Sequence, residues 1–270
     1  MTGMESKQID RPNASGTVFG VMAKYWEPGR VKTRLGKSIG LSNAAEIHRL
    51  FCQHIVKSMS AVAYRQVFVV APAESREAFD DWLKELSGSG SSKAGQQDEN
   101  LWGVVTQSAG DLGVRMRHWF RQPLADGDVS GPLSTSISVN EDAKRILIGA
   151  DCPLIDSAVI SDAESLLSCH DVVLGPAADG GYYLIGLRGW DPCFDSLFED
   201  ISWGTESVFD ETIRVAELAG LSVGTTAKLS DVDNESDLIN LRRQLLESNR
   251  VPWHRLLEQI DGVLAKEAGQ

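Results

Sequence analysis

The sequence predicts an α/β fold with a mostly parallel central sheet. Apolar, β-branched runs without strict alternation, such as 17–23 (TVFGVMA), indicate strands that are buried on both faces. Between such runs, apolar residues recur every three or four positions, as in the helix that starts near Leu41 and extends to Val62. Strands that alternate with helices of this length are typical of βαβ units, which form parallel sheets.

The other elements follow from the same two patterns. Strands are predicted at 17–23, 66–71, 101–106, 144–150, 171–175, 182–187 and 222–226. Further helices are predicted at 74–86, 112–122, 157–167, 206–219, 235–248 and 253–266. Stretches rich in Gly, Ser and polar residues near 87–100 and 123–142 are expected to be flexible loops, and the polar segment 1–16 a disordered tail. We expect 17–270 to form one domain.

Composition limits the classes of function. The chain has 270 residues and a formal net charge of −12, which argues against binding to nucleic acid. Residues 1–16 lack the apolar core of a signal peptide, and no run of about 18 apolar residues could span a membrane, so we expect a cytoplasmic protein. The four cysteines form no C-x-x-C pair and the five histidines are dispersed, which favours neither a zinc site nor a disulfide framework. The oligomeric state is left open.

A basic cluster follows the first predicted strand. Five of the 26 basic residues fall within the fourteen positions 24–37, which we interpret as the loop between the first strand and the first helix. In α/β sheets such a loop is a common place to bind phosphate, with Arg30, Lys32, Arg34 and Lys37 supplying charge and Pro28-Gly29 a turn. The alternative is a solvated basic loop without a ligand.

Asp151 follows the buried strand at 144–150. A short carboxylate at a rigid strand end is a good ligand for a hard cation such as Mg²⁺, which in turn binds phosphate oxygens. The competing interpretation is a turn residue before Pro153. Asp156, in contrast, is predicted to cap the next helix.

Asp231 and Asp233 lie two residues apart in the segment LSDVDNESDL. In an extended segment both side chains point to one face, where either could complete a metal site with Asp151. The neighbouring Asn234 and Asp237 have the spacing of a capping box and are predicted to be structural.

Two glycine-containing segments are weaker candidates. Asp179, Gly180 and Gly181 join two strands, and these glycines either permit a turn or let the backbone approach a ligand closely. Asp111 and Arg115 lie at another strand-to-helix junction, which taken alone is a capped helix start.

Taken in order, six segments resemble one family: AKYWEPGRVKTRLG, QSAGDLGVRM, GADCPLID, GPAADGGYYLIGL, ISWGTESVF and DVDNESDL. They are similar to an uncharacterised bacterial family described as glycosyltransferase-like, within the nucleotide-diphospho-sugar transferase superfamily, over residues 18–241. A more distant relative is 2-phospholactate guanylyltransferase, whose first loop has an element like Lys32-Thr33-Arg34-Leu35.

The resemblance implies a Rossmann-like GT-A fold, a three-layer sandwich whose first βα loop cradles a nucleotide. It also implies Mg²⁺ or Mn²⁺ at Asp151, with Asp231 or Asp233 as a second ligand. Glycosyl transfer usually needs a general base near the acceptor, for which Asp179 is a candidate. The expected partners are a nucleotide or nucleotide-sugar and a small acceptor. The candidate nucleotide- or phosphate-binding residues are Lys24, Gly29, Arg30, Lys32, Arg34, Asp111, Arg115, Gly180 and Gly181.

Two reactions and one inactive alternative follow. The strand ends Asp151-Cys152-Pro153 instead of the Asp-x-Asp motif of many glycosyltransferases, which favours the nucleotidyltransferase branch. The Gly-x-Gly-x-x-Arg loop common among nucleotidyltransferases is absent as well. Glycosyl transfer, nucleotidyl transfer with release of pyrophosphate, and nucleotide binding without catalysis therefore stay as alternatives.

Overall fold

The computed structural model describes residues 16–59, 65–88, 102–123 and 143–266. The tail predicted at 1–16 and the flexible loops predicted near 87–100 and 123–142 lie almost wholly outside these ranges.

Seven strands and eight α-helices are defined within the described residues. The strands are β1 (Thr17–Lys24), β2 (Arg65–Ala71), β3 (Trp102–Thr106), β4 (Lys144–Gly149), β5 (Val172–Pro176), β6 (Tyr182–Leu187) and β7 (Val223–Thr225). The helices are α1 (Thr33–Ile39), α2 (Leu41–Ser58), α3 (Arg76–Gly88), α4 (Leu112–Arg121), α5 (Ser157–Leu166), α6 (Val208–Leu218), α7 (Glu235–Glu247) and α8 (Val251–Ala265). None of the helices in these ranges combines the length and the apolar content that a membrane crossing requires.

The strands form one sheet in the order β3-β2-β1-β4-β6-β5-β7. All of them run in the same direction except β6, which is antiparallel to both β4 and β5. The chain moves outward from β1 to β2 and β3, then returns to place β4 on the other side of β1. The carboxyl ends of β1 and β4 are thus at a switch point, where open α/β sheets bind ligands. The predicted α/β class with a mostly parallel sheet is confirmed.

Helices cover both faces of the sheet, as in a three-layer sandwich. Alternate residues of β1 show this: Phe19 and Val21 pack with α2, α3 and α5, whereas Val18 packs with α4 and α6. A third apolar cluster joins α1 and α2 to α7 and α8. The sheet edge that carries the strand ends is held rigidly between these layers.

The structure corrects three boundaries. The basic segment 24–37 is not one loop, because α1 begins at Thr33 and places Arg34 and Lys37 on a helix. Burial of Leu35 and Gly36 explains this early start. Helix α2 ends at Ser58, before the predicted end at 62, and α3 continues to Gly88, two residues into the predicted loop.

A substitution at Gly20 tests the packing of β1. A Cβ atom there would lie 2.4 Å from Cζ2 of the Trp119 ring and 2.9 Å from Leu147 Cδ1, both in the buried core. We expect Gly20→Ala to lower the free energy of unfolding by about 1 to 3 kcal/mol, measured by urea denaturation. Gly262→Ala is the matched control, because it adds a methyl in helix α8 with no atom within 4 Å. It should stabilise the protein by up to about 1 kcal/mol, and equal effects of the two changes would contradict the packing described here.

Candidate active site

A large cleft opens at the carboxyl edge of the sheet. It has a volume of about 550 Å³ and lies where β1, β3 and β4 end and β6 begins. The charged and titratable residues that line it are Lys24, Arg30, Lys32, Arg34, His48, Arg115, Asp151, Tyr182, Tyr183 and Asp233. The fold therefore brings cations from the first βα segment to the carboxylate that follows β4.

Lys32 occupies the centre of this charge arrangement. Its side chain is only 3% exposed, and its ammonium Nζ lies 2.7 Å from Asp151 Oδ1 and 3.1 Å from Asp233 Oδ1. Burial acts against the charged form of Lys32, but the two carboxylates outweigh it and raise the pKa of this group. The backbone of Lys32 has φ 46°, a left-handed conformation that a non-glycine residue adopts only under strain. The surrounding contacts hold the lysine in this conformation.

The Asp151 carboxylate has an inner and an outer side. Oδ1 is buried and faces Lys32, although the side chain as a whole is 48% exposed. Burial raises the pKa of Asp151, but Lys32 and then His48 lower it further, so the net pKa falls well below its ordinary value. Asp151 is therefore ionised, with Oδ1 committed to the protein and the exposed part of the carboxylate turned outward.

His48 is a residue of the site that sequence reasoning missed. It lies on α2, is 4% exposed, and contacts Asp151 Oδ1 through Nδ1 at 3.4 Å. Its Nε2 is 3.0 Å from the Lys24 carbonyl, which can only accept a hydrogen bond, so Nε2 is the donor. The one signal in the sequence is that His48 shares the apolar face of α2 with Ala44, Phe51 and Ile55.

Asp231 and Asp233 flank a buried Val232, whose N–H donates to the Asp151 carbonyl at 3.0 Å. Asp233 lines the large cleft beside Lys32, with Arg34 at 4.0 Å, whereas Asp231 lines a second cleft. Burial, followed by repulsion from Asp179 and Asp233, raises the pKa of Asp231 to about 6. Both aspartates also line a third cavity together with Asp179 and Arg34, so their carboxylates are close to each other.

The predicted capping roles in the same region are confirmed. Asn234 and Asp237 form a capping box at the start of α7, and Asp156 caps α5 through the N–H groups of Ala158 and Val159.

The second cleft is smaller, about 210 Å³, and shares Gly149, Asp151, Tyr182 and Tyr183 with the large one. Besides these it is lined by Leu112, Cys152, Ala177, Asp179, Gly181, Trp203, Gly204, Thr205, Val208 and Asp231. Asp179 Oδ1 accepts a hydrogen bond from the Gly181 N–H at 2.9 Å, which is the geometry of the predicted turn. Asp151 therefore stands where the two clefts meet.

Three predicted binding residues lie outside both sets of lining residues. Gly180 has φ 90°, and a Cβ atom there would lie 2.1 Å from the Glu206 carbonyl oxygen, so glycine is needed for backbone packing. Asp111 caps α4 by accepting from the Val114 N–H. Gly29 has φ 82° in the turn before Lys32.

Arg115 is positioned by the loop before α4. Its Nε donates to the Gly110 carbonyl at 2.8 Å, and its Nη1 is 3.5 Å from Gln107 Oε1. Gln107 is itself fixed, because its amide donates to the Val69 carbonyl at 2.9 Å. The Arg115 guanidinium is therefore pre-oriented at the wall of the large cleft.

The donor set suits a hard divalent cation at the small cleft. No group of three or more His, Cys, Asp or Glu side chains in the described ranges is arranged as a complete metal centre. Asp151 and Asp231 nevertheless line the same cleft as Asp179, where burial and then repulsion from Asp179 and Asp233 raise the pKa of Asp231. Mg²⁺ commonly takes one or two carboxylates and completes its shell with water and phosphate oxygens. Asp233 lines the large cleft with Asp151, and both of them contact Lys32.

The buried ammonium gives a stability prediction. Asp151 and Asp233 are 48% and 44% exposed, so losing either one leaves Lys32 a partner and should cost only about 1 kcal/mol. The double variant Asp151→Asn/Asp233→Asn leaves a buried charge without a carboxylate and should lose about 3 kcal/mol or more of unfolding free energy in urea. Adding Lys32→Met should restore most of that loss. Strict additivity of the two single changes would contradict this account.

Comparison with solved structures places the fold among nucleotide-dependent transferases. A protein provisionally described as a nucleotide-diphospho-sugar transferase, from Desulfovibrio desulfuricans G20, is 29% identical, with a TM-score of 0.72 over 93% of this chain and 97% of that one. Weaker matches are 4-diphosphocytidyl-2C-methyl-D-erythritol synthase from Anaerococcus prevotii DSM 20548, at 8% identity and TM-score 0.47, and CMP:2-keto-3-deoxy-manno-octonic acid synthetase complexed with CTP, at 11% and 0.42. Each covers 86% of this chain and 99% of its own.

No curated protein matches the chain. The family model described as "Uncharacterized protein conserved in bacteria (DUF2064)" matches residues 58–205. The matched range includes Asp151 and the Asp179 turn. It begins after the basic segment 24–37 and ends before Asp231. Because this match covers more than half of the chain, the protein belongs to that bacterial family.

Proposed function

We propose that this protein is a metal-dependent transferase that binds a nucleotide or nucleotide-sugar and transfers a glycosyl or nucleotidyl group to a small acceptor. The observation that carries the proposal is the large cleft, where five cations meet Asp151 at the switch point of the sheet. The cations are Lys24, Arg30, Lys32, Arg34 and Arg115.

The basic wall is suited to phosphate. Arg30 and Arg34 have side chains 77% and 78% exposed, so they can turn toward a bound anion, and Arg115 is already fixed in place. The planar fork of arginine binds phosphate oxygens in pairs. Lys32 has a different role, since its ammonium is engaged by two carboxylates and acts on a ligand as a fixed positive charge.

Asp151 and Asp231 are the proposed metal ligands, and Asp233 is the proposed partner of Lys32. Support comes from the clefts, because Asp231 shares the small cleft with Asp151 whereas Asp233 faces Lys32 and Arg34. A bound Mg²⁺ or Mn²⁺ supplies Lewis-acid stabilisation of phosphate oxygens. The inner contacts of Asp151 to Lys32 and His48 orient its outward side for that task.

The basic wall serves either reaction, since each releases a phosphate-bearing leaving group on which negative charge accumulates. In glycosyl transfer the leaving group is a nucleoside diphosphate, and Asp179, exposed in the small cleft, is placed to accept the proton of an attacking hydroxyl. In nucleotidyl transfer the leaving group is pyrophosphate, and no protein nucleophile is required. Nucleotidyl transfer is the second candidate. It is favoured by the sequence Asp151-Cys152-Pro153 at the strand end, which lacks the Asp-x-Asp motif of many glycosyltransferases.

A ligand panel followed by a product assay tests the proposal. Thermal shift with nucleoside triphosphates and nucleotide-sugars, each with and without Mg²⁺ or Mn²⁺, should show stabilisation by one ligand that increases with the metal. Turnover with that ligand should release either pyrophosphate or a nucleoside diphosphate, which separates the two reactions. Tight, metal-independent nucleotide binding without turnover would instead support the non-catalytic alternative.

The assignment of Asp231 and Asp233 gives a paired prediction. Asp231→Asn should raise the Mn²⁺ concentration needed for half-maximal activity by about tenfold or more, because a ligand oxygen loses its charge. Asp233→Asn, the matched control two residues away, should change this concentration much less and act mainly on the KM for the nucleotide. Asp151→Asn should lower kcat by about 10² to 10³ while the protein stays folded. The reverse order of metal dependence would exchange the roles of Asp231 and Asp233.

A further inference from the structure

The two clefts that meet at Asp151 differ in charge. Five Lys or Arg side chains line the large cleft, whereas the described residues that line the small one include no Lys or Arg at all. The small cleft instead has three carboxylates, those of Asp151, Asp179 and Asp231. A molecule that extends through both would meet a cationic wall at one end and an anionic wall at the other.

The small cleft is built by two segments that are both hydrogen-bonded to helix α6. In one of them, residues 202–207, the Ser202 N–H and the Ser207 hydroxyl both donate to Glu211, at 2.9 and 2.6 Å, and the Thr205 hydroxyl donates to the Ser202 carbonyl at 2.8 Å. The other is the Asp179 turn, where the Gly180 carbonyl accepts from the Phe209 N–H at 3.0 Å. The cleft is therefore preformed.

Aromatic rings form one side of this cleft. Trp203 packs edge-on against Tyr182, with ring centroids 6.4 Å apart. A Cβ atom at Gly113 would lie 2.7 Å from Trp203 Nε1, so the glycine lets α4 approach the indole. The Tyr183 hydroxyl donates to the Ala227 carbonyl at 2.9 Å, which fixes that ring as well. Fixed aromatic surface beside carboxylate oxygens suits a ligand with apolar C–H faces and hydroxyl donors.

An anionic ligand meets no Lys or Arg side chain among the described residues that line the small cleft. Phosphate and carboxylate groups are bound in proteins by Arg, Lys or backbone N–H clusters, and like charges across an interface are strongly unfavourable. A divalent cation on Asp151 and Asp231 would still leave the Asp179 charge, and its own charge would be shared with the nucleotide phosphates. The small cleft thus has several hydrogen-bond acceptors for hydroxyl groups. Among the residues described, it has no cationic side chain that would bind an anion.

We propose that the small cleft is the subsite for an uncharged, hydroxyl-rich acceptor and that it discriminates against acceptors that carry a phosphate or a carboxylate. This specificity rests on the proposed transferase function, because it assumes that the large cleft holds the nucleotide. Asp179 is the main determinant of the discrimination, since Asp151 and Asp231 are the proposed metal ligands.

Matched probes test the proposal on the nucleotide-saturated protein. Titration calorimetry would compare glycerol with glycerophosphate, and glucose with glucose phosphate and gluconate. The wild-type protein should bind the neutral member of each set about tenfold or more tightly. Asp179→Lys should reduce or reverse this ratio, and Asp179→Asn, which keeps an oxygen for the Gly181 N–H, should reduce it less. Asp210→Lys makes the same charge change on the exposed first turn of α6 and should leave the ratio unchanged.

Each other outcome counts against one specific statement. Tighter binding of the anionic probes, or the same ratio in wild type and Asp179→Lys, would overturn the charge discrimination. If the nucleotide binds and none of the probes does, the small cleft is not an acceptor subsite, although the proposed function survives. If no nucleotide binds, the proposed function fails, and titration of the probes alone then decides whether the small cleft prefers neutral ligands.

Discussion

The ion pairs of Lys32 with Asp151 and Asp233 are the interaction on which the site depends. One buried ammonium joins the segment after β1, the end of β4 and the segment before α7, which are distant in sequence. His48 adds α2 to this group through Asp151 and the Lys24 carbonyl. Removing the partners of a buried charge is strongly destabilising, so these contacts tie the three segments together. The strained backbone of Lys32 is held in place by these contacts.

This arrangement divides the edge of the sheet by charge. Asp233 pairs with Lys32 in the large cleft, whereas Asp231 lines the small cleft with Asp179 and is repelled by both Asp179 and Asp233. Asp151 belongs to both sides, with Oδ1 turned inward to Lys32 and the rest of the carboxylate exposed. A group that reacts at Asp151 would thus stand between a surface that favours negative charge and one that disfavours it.

Much of the fold could be predicted from the sequence, and the reason is local. Buried strands such as β1 and β4 have continuous apolar runs, and caps such as Asp156 and Asn234 act within a few residues. For the site, the sequence predicts only which candidate residues follow the strands, and not which of them contact one another. The position of the Lys32 ammonium between two carboxylates depends on a left-handed backbone, and the contact of His48 depends on how α2 packs, neither of which has a local signature. Asp231 and Asp233 were expected on one face and do line one cavity together, but nothing local indicates which of them would contact Lys32.

The reversed direction of β6 has a consequence for how such a protein changes over evolution. Because β5 and β6 form a hairpin, the wall at Asp179 comes from a short turn, whereas the cationic wall comes from segments connected through whole βα units. Turns of this kind tolerate insertion and deletion better than crossover connections do. The small cleft can therefore diverge among relatives while the cationic cleft stays constant, within the limit that the close contact of Gly180 with Glu206 imposes.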